Sequence, residues 1–392
     1  MLGAKAFVAV FTVVTTLFGG ARASNPSLDA AIDNLQRMEQ FEAEVTELAL
    51  KYGIPLEDSQ AAMEHVKMAT DAAANDRRVI QAALNQPESA STLASRCTLT
   101  ANASNTKQLN LNCTSNTIRF LGIGDWGEKS AHAGLNAVRD AMLAEANNID
   151  FIVSAGDNFY TYGVSSINDK QWTNTWVNRY QIGTKLNVPW FSLMGNHDHY
   201  GNSNAQIEYS KATQPGSKYW IMPGEFYNVD VTNAGGKKMK MVFTDTETIK
   251  DADYTWVQQQ ISDNSTDFVL ALGHYHVYSA GGRGDQTDSA VKRLNTLLQG
   301  NSKVKAYICG HEHDMQFLRS GNLDYYLIGG GGRTIDFGDK SPGTAATINY
   351  YARNYGYAIY DVDIAARRMN VTYNIYDKKG AKVESKVFAR VF

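Results

Sequence analysis

Five short polar clusters in this sequence carry side chains that can bind metal ions. Each cluster follows an apolar run, and each has a glycine directly before its key residue, where the backbone must turn sharply. The clusters are GDWG (124–127), GDNFY (156–160), GNHD (195–198), GHYH (273–276) and GHEH (310–313). In an open α/β sheet, ligands collect beyond the carboxyl ends of the strands. The pattern therefore brings seven candidate ligands to one rim: Asp125, Asp157, Tyr160, Asn196, His274, His311 and His313.

The mixture of ligand types suits a pair of transition-metal ions. Carboxylate, phenolate and amide oxygens favour harder cations, whereas imidazole suits zinc, iron or manganese. A central carboxylate can bridge two ions about 3.5 to 4 Å apart, as in hydrolytic two-metal sites. Asp157 is the candidate for that bridge. One aspartate or histidine alone is more often a helix cap or a core residue, but five clusters of one form favour a metal site.

The apolar runs that precede the clusters predict an α/β fold. From residue 117 onward, β-branched and aromatic runs alternate with amphipathic stretches. Strands are predicted at residues 118–123, 151–154, 190–194, 240–243, 268–272 and 304–308. Helices are predicted at residues 132–146, 169–180, 253–261 and 289–298. After Tyr357 the sequence alternates plainly between apolar and polar residues, which predicts antiparallel strands that close the sheet.

Taken together, these motifs resemble the metallophosphoesterase superfamily, and within it the small purple acid phosphatases of the mammalian tartrate-resistant type. The likeness extends to the stretches FIVSAGDNFYTYGV, INDKQW, VPWFSLMGNHDHYGN and AQIEYSK, and covers residues 117–332, with weaker likeness afterwards. It implies a layered β-sandwich flanked by helices, the calcineurin-like metallophosphoesterase fold, over a catalytic domain at residues 117–392. Residues before 116 have no counterpart in that family.

The resemblance also implies how the ligands divide between two ions. Fe(III) would be held by Asp125, Asp157, Tyr160 and His313. A divalent ion, Fe(II), Zn(II) or Mn(II), would be held by Asp157, Asn196, His274 and His311. Tyr160 is the diagnostic member, because charge transfer from a tyrosinate to ferric iron gives this family its colour.

The turn that contains Asn196 supplies three further polar residues. His197 resembles the proton donor of the family, and it either protonates a leaving alkoxide or holds the phosphate. A histidine suits this task because its ordinary pKa of about 6.5 leaves it protonated in mildly acidic water. Asp198 is expected to orient backbone or a neighbouring imidazole. His199 is either a similar support or a polar residue of the rim.

The chain departs from the small mammalian-type pattern after its fourth cluster. There it reads AGGRGDQT, with Arg283 where those enzymes have a histidine, and His276 replaces a proline. Both residues are candidate catalytic residues. The planar guanidinium of Arg283 can clamp a phosphate, and the alternative, that it points into solvent, stays open.

The resemblance implies an acid phosphatase that hydrolyses phosphate monoesters through a metal-activated hydroxide. Two alternatives remain at this stage. One is a scaffold protein that keeps the phosphatase fold with weak or no turnover, a reading that the retention of all seven candidate ligands disfavours. The other is a phosphodiesterase or nucleotidase that uses the same metals.

Composition and the N-terminus indicate a secreted protein. Lys5, the apolar stretch 6–18 and the sequence Ala21-Arg22-Ala23 predict a signal peptide over residues 1–23, since the run is too short and too interrupted for a membrane anchor. Four sequons, at Asn102, Asn112, Asn264 and Asn370, fit a secreted or endolysosomal location. The 37 basic and 40 acidic residues nearly cancel, to a formal charge of −3, which argues against a nucleic-acid partner.

The segment between the signal peptide and the catalytic domain is predicted to be a helical extension and linker, residues 24–116. Apolar residues recur at helical spacing between residues 27 and 87, and a Ser/Thr/Asn-rich linker follows. The extension packs on the main domain, binds a partner or is removed. Cys97 and Cys113 bracket part of the linker and could pair in an oxidising compartment, whereas Cys309 is expected to be a free core thiol.

Overall fold

The protein is described by a computed structural model over residues 96–102, 105–334 and 343–392. The signal peptide predicted at residues 1–23 and the helices predicted between residues 27 and 87 lie outside these residues. All the elements named below belong to one compact unit of the chain. The strands, in chain order, are β1 (Cys97–Asn102), β2 (Asn105–Cys113), β3 (Thr117–Ile123), β4 (Phe151–Ser154), β5 (Trp190–Ser192), β6 (Trp220–Ile221), β7 (Tyr227–Thr232), β8 (Lys238–Phe243), β9 (Phe268–Leu272), β10 (Val304–Cys309), β11 (Met315–Ser320), β12 (Leu323–Ile328), β13 (Thr347–Ala352), β14 (Tyr355–Asp363), β15 (Arg368–Tyr376) and β16 (Lys382–Val391).

Helices connect many of these strands. The α-helices of the described residues are α1 (Ala133–Ala144), α2 (Asn196–His199), α3 (Asn204–Tyr209), α4 (Asp251–Ile261) and α5 (Ser289–Gln299). A π-helix covers Trp172–Asn178 and a 3-10 turn covers Ser217–Tyr219. Over residues 96–102, 105–334 and 343–392, no helix combines the length and the apolar composition that crossing a membrane requires.

Two sheets face each other across the main core. The larger has nine strands in the order β1-β2-β7-β8-β9-β10-β12-β11-β13, and the smaller has seven in the order β16-β15-β14-β3-β4-β5-β6. Phe120 and Phe151 of the smaller sheet share one buried cluster with Leu270 and Ile308 of the larger sheet. The layered β-sandwich expected from the sequence is therefore confirmed.

Helices cover the outer face of each sheet. Met142 of α1 and Trp176 of the π-helix are buried with Ile152 of the smaller sheet. Val257 of α4 and Leu294 of α5 are buried in a separate cluster on the larger sheet. Since each helix has one apolar face, this burial is what holds it against the strands.

The strands that precede the polar clusters are parallel to their neighbours. In the smaller sheet β3 pairs parallel with β4 and β4 with β5. In the larger sheet β8 pairs parallel with β9 and β9 with β10. Their carboxyl ends therefore lie at a common edge within each sheet. The antiparallel strands expected after Tyr357 are β14, β15 and β16, with β16 at the edge of the smaller sheet.

The structure differs from the expected linker at residues 97–113. This stretch forms β1 and β2, and β2 pairs parallel with β7 at the edge of the larger sheet. A disulfide joins Cys97 to Cys113. The second of these strands forms because Leu109, Leu111 and Cys113 alternate with polar residues and are buried. This alternation is hard to recognise in an Asn-rich sequence.

The helix expected at residues 169–180 is a π-helix instead. Trp172 stacks on Tyr209 with ring centroids 3.6 Å apart, and Trp176 packs edge-on against Trp220 at 4.9 Å. Both tryptophans are buried. Contacts with distant aromatic residues thus accompany the wider helical turn, and the local sequence did not predict it.

Candidate metal centre

The ends of five strands meet at one site between the sheets. Asp125 follows β3, and Asp157 and Tyr160 follow β4. Asn196 begins α2 after β5, His274 follows β9, and His311 and His313 follow β10. The described residues contain a group of side chains suited to holding a metal ion, formed by Asp125, Asp157 and His313, whose ligand atoms lie within 4.8 Å of one another.

The turns that lead to the site leave no room for a side chain at two glycines, because carboxylates lie against them. Asp125, Asp157 and His311 have left-handed backbone conformations, with φ of 56°, 51° and 70°. A Cβ at Gly195 would lie 2.2 Å from Oδ1 of Asp157, and one at Gly310 would lie 2.4 Å from Oδ2 of Asp125. A side chain at either glycine would therefore displace a candidate ligand.

The first donor set surrounds the hydroxyl of Tyr160. Its Oη lies 3.0 Å from Oδ1 of Asp125, 2.8 Å from Oδ2 of Asp157 and 3.3 Å from Nε2 of His313. All three partners are buried, as is Tyr160 itself. Four buried ligand-type side chains thus bring their donor atoms close enough together to share one cation.

The second donor set lies on the other side of Asp157. Nε2 of His274 is 3.2 Å from Oδ1 of Asn196 and 3.4 Å from Oδ1 of Asp157. The ring of His311 lies 5.2 Å from that of His274, centroid to centroid. Asp157 therefore turns one oxygen to each set, which is the position that a bridging carboxylate needs.

Backbone carbonyls orient two of the histidines. Nδ1 of His274 lies 2.8 Å from the oxygen of Ala155, and Nδ1 of His313 lies 3.0 Å from the oxygen of Thr334. A carbonyl accepts, so Nδ1 is the donor in each ring, and in the neutral imidazole the lone pair is then on Nε2. That tautomer leaves Nε2, which faces the site, able to bind a metal.

The electrostatics of the site also fit bound cations. Burial and the neighbouring charge of Asp157 raise the pKa of Asp125 well above its usual value. Burial and both carboxylates raise the pKa of Tyr160. Burial lowers the pKa of His313 to about 4 and also lowers that of His311, which favours the neutral form of both rings. Bound positive ions would stabilise the charged forms of these crowded, buried carboxylate and phenol oxygens, and a neutral imidazole can bind such ions.

The turn after β5 carries the candidate proton donor on the open side of the site. His197 is partly exposed, and its Nδ1 lies 2.7 Å from the oxygen of Thr161. Its ring centroid is 4.5 Å from that of Tyr160. His197 is thus beside the donor sets.

Asp198 and His199 secure this turn. Asp198 is buried and accepts hydrogen bonds from the backbone N–H groups of Gly195, Asn158 and Phe159 at 2.9 to 3.1 Å. Nε2 of His199 lies 2.7 Å from Oδ2 of Asp245, a buried carboxylate just after β8. Asp198 therefore orients the backbone of this turn rather than an imidazole. His199 supports the turn through its contact with Asp245.

His276 and Arg283 lie on the loop after β9. His276 is buried, with Nε2 3.0 Å from the oxygen of Gly284, and its ring lies 5.6 Å from that of His311 at an interplanar angle of 23°. Burial lowers the pKa of His276 to about 4. Arg283 is about one-third exposed, and its Nε lies 3.8 Å from Oε2 of Glu312. It is near enough for its charge to lower the pKa of His311, after the larger effects of burial and His274.

Two residues of the site were not identified from the sequence. The guanidinium of Arg333 lies 4.7 Å from the centroid of the Tyr160 ring, and Arg333 also pairs with Glu128. Asp245 holds His199, as described above. In the sequence, Arg333 ends the run GGGGR and Asp245 lies in TDT, at the end of a strand. Neither stretch has the form of the five polar clusters, a glycine followed by a metal-ligand residue.

Comparison with known proteins identifies relatives of this chain. The calcineurin-like phosphoesterase family model matches residues 118–315. Tartrate-resistant acid phosphatase type 5 of Rattus norvegicus is 32% identical over 294 residues, which are 67% of this chain and 88% of the relative. Purple acid phosphatase 3 of Arabidopsis thaliana is 27% identical, over 67% of this chain and 76% of the relative. The structure of GAP50, the anchor in the inner membrane complex of Plasmodium, is similar in fold alone, with a TM-score of 0.58 and 23% identity over 69% of this chain and 88% of that one.

Proposed function

Because the chain belongs to the calcineurin-like phosphoesterase family and, within it, to the purple acid phosphatases, it is a phosphoric monoester hydrolase with a dinuclear metal centre, and we propose how its residues divide the work. The single observation that carries the proposal is the position of Asp157. Its Oδ2 faces the donor set around Tyr160, and its Oδ1 faces the set around His274.

The first set is proposed to hold Fe(III). A phenolate and two carboxylates are hard oxygen ligands, which suit a trivalent ion. The second set, Asn196, His274 and His311 with the shared Asp157, is proposed to hold Fe(II), Zn(II) or Mn(II), because imidazole and amide ligands suit divalent ions. When bound, such ions supply Lewis acidity toward phosphoryl oxygens and lower the pKa of water.

The chain itself contributes proton transfer and substrate orientation. His197 stands at the open side of the site, where it can donate a proton to the leaving oxygen or hold a phosphoryl oxygen. The guanidinium of Arg283 is proposed to bind a phosphoryl oxygen, since Glu312 holds it while a third of its side chain stays exposed. His276 is assigned a positioning role because it is buried and packs on the ring of His311.

The decisive experiment compares a phosphate monoester with a diester. Purified protein reconstituted with iron and zinc is assayed on p-nitrophenyl phosphate and on bis(p-nitrophenyl) phosphate, with metal content measured on the same sample. We expect the monoester to have the higher kcat/KM. A preference for the diester would indicate a phosphodiesterase. A fully metallated protein without turnover would support the scaffold alternative, which the retained donor sets disfavour.

Location is a separate proposal. We infer that the protein enters the secretory or endolysosomal pathway after removal of residues 1–23, and that the helical extension expected within residues 24–116 precedes the catalytic domain. The Cys97–Cys113 disulfide supports an oxidising compartment, and the sequon residues Asn112 and Asn264 are exposed. N-terminal sequencing of protein from the native medium should find a mature chain that begins after Ala23.

A further inference from the structure

The smaller sheet ends at β16, a strand of ten residues whose outer edge pairs with no other strand of the described residues. Most of the strand is exposed, and Phe388 is its one buried side chain. Three of the seven exposed large apolar side chains of the described residues lie on it: Val383, Val387 and Val391, at 53%, 58% and 72% exposure. A long, exposed, apolar edge strand is a template for pairing with another strand.

The backbone groups of β16 alternate between its two edges. The N–H of Phe392 donates to the oxygen of Arg367 at 2.9 Å, which continues the antiparallel register of β15 and β16. Since hydrogen-bonded pairs alternate along an antiparallel ladder, the even-numbered residues of β16 direct their N–H and C=O groups to β15. The odd-numbered residues therefore direct theirs to the outer edge. These are also the residues that include the three exposed valines.

The strand matches its own reversed sequence about Val387. If two copies of β16 pair antiparallel with that residue at the centre, Val387 faces the partner's Val387, and Val383 faces the partner's Val391. Ser385 faces the partner's Ala389, so two small side chains meet between the valines. This register pairs the whole strand and places valine against valine at three positions, where cross-strand apolar contacts stabilise a sheet.

The charged residues of the strand fit the same register. Glu384 and Arg390 lie on the face toward the larger sheet, where Glu384 accepts a hydrogen bond from Oη of Tyr350 at 2.6 Å and Arg390 pairs with Asp324. In the pairing described above, Glu384 of each copy lies opposite Arg390 of the other, in pairs whose side chains approach most closely. Opposite charges in such pairs are favourable. A pairing shifted by one residue, with Lys386 at its centre, would place like charges against each other.

We propose that β16 is the interface of a homodimer, in which two copies of the chain pair antiparallel about Val387 and join their smaller sheets. Each copy presents the same edge, so the contact closes on itself as a two-fold dimer and does not extend into a fibre. The pairing removes the row of valines from water and gives ladder partners to the odd-numbered residues. The proposal is independent of the phosphatase function.

The first test measures the mass of the protein in solution. Analytical ultracentrifugation of the purified protein at a series of concentrations should show dimers that dissociate on dilution. Val387→Lys places two like charges at the two-fold axis and should raise the dissociation constant roughly 10-fold or more. Thr98→Lys, at an exposed position of β1, is the matched control for an added charge and should leave that constant unchanged. A wild type that stays monomeric would overturn the proposal.

Val387→Pro separates pairing from folding. Proline has no N–H, but the N–H of residue 387 points away from β15, and proline is tolerated at such an edge. The variant should keep the circular dichroism spectrum of the wild type. It should dimerise roughly 10-fold more weakly or worse, because two hydrogen bonds at the axis are lost. A folded variant that dimerises as tightly as the wild type would refute the interface, and if the variant does not fold, Val387→Lys decides.

Cysteine cross-linking tests the register. Residues that face each other in a hydrogen-bonded antiparallel pair have Cα atoms about 5.5 Å apart, a distance that a disulfide can span. Val387→Cys should therefore oxidise to a covalent dimer, whereas Ser385→Cys, on the same face of β16, should not. The native cysteines do not interfere, because Cys309 is buried and Cys97 is joined to Cys113. Cross-linking of Ser385→Cys in place of Val387→Cys would overturn the proposed pairing.

Discussion

The backbone N–H of His197 donates a hydrogen bond of 3.0 Å to Oδ1 of Asp157. The oxygen that receives it is the same one that faces His274. The proposed proton donor is thus positioned through the backbone by the proposed bridging carboxylate, while Nδ1 of its ring lies 2.7 Å from the backbone oxygen of Thr161. Metal binding and proton donation are therefore linked in geometry but separable by mutation.

Replacing Tyr160 with phenylalanine tests the iron assignment. We expect the oxidised wild type to be coloured, because the phenolate of Tyr160 would transfer charge to ferric iron. Tyr160→Phe should lose the visible absorption band and keep the fold, since the ring itself remains packed. An absorption spectrum, with circular dichroism as the check on folding, measures both. A colourless iron-loaded wild type would contradict the assignment.

Removing ligands should cost metal and activity together. Asp157→Asn should be more severe than His311→Ala, because both ions depend on Asp157 and only one on His311. Metal content by mass spectrometry and kcat on p-nitrophenyl phosphate are measured on the same preparations. Full activity with unchanged metal content in either variant would count against the site.

His197→Ala should retain both metal ions and lose rate. The expected loss is about 10² to 10⁴-fold, the usual contribution of a positioned general acid. It should be larger for alkyl phosphates, whose leaving groups need a proton, than for p-nitrophenyl phosphate. Equal losses would indicate phosphate binding instead, and departure of a metal ion would make His197 a ligand.

Glu312 should act on substrate binding through the loop that carries Arg283. Its Oε1 accepts hydrogen bonds from Oγ of Ser279 at 2.9 Å and from the backbone N–H of Arg283 at 3.0 Å. Hydrogen bonds to a charged group contribute about 1.5 to 3 kcal/mol, so Glu312→Ala should raise KM roughly 10-fold or more with metal content kept. Glu312→Gln retains an acceptor and should be milder. Arg283→Ala and the double variant form the cycle that measures the coupling.

The pair of His199 and Asp245 should make stability depend on pH. Burial lowers the pKa of His199, but the hydrogen bond and charge of Asp245 outweigh it and raise that pKa above its usual value. Because the folded pKa is raised, the stabilisation is full below the unfolded pKa and is lost as pH rises through the folded pKa. Asp245→Asn should therefore reduce the free energy of unfolding more at about pH 5.5 than at about pH 8.5. Urea unfolding at both pH values measures this, and an equal effect would contradict it.

Strand positions were predictable because the relevant signal is local. The run before His274 is continuous and apolar, and the runs before Asp125 and Asp157 are interrupted only by Arg119 and Ser154, as buried parallel strands require. Strands β4 and β9 have the predicted bounds. The first two strands of the larger sheet, β1 and β2, were missed because Asn and Thr are frequent in them and only a few alternating residues are buried. Such strands need one buried face, which composition alone reports poorly.

The sequence by itself determined which side chains could bind metal, since a glycine before a ligand-type residue at a strand end is a local pattern. Only the tertiary structure decided which of these clusters face each other across Asp157, since that depends on the strand order of two sheets. It also decided that Asp245 holds His199 and that Arg333 lies over Tyr160. The physical reason is that such pairs are distant in the chain or on separate turns, and their contacts arise from packing rather than from any periodicity that a sequence displays.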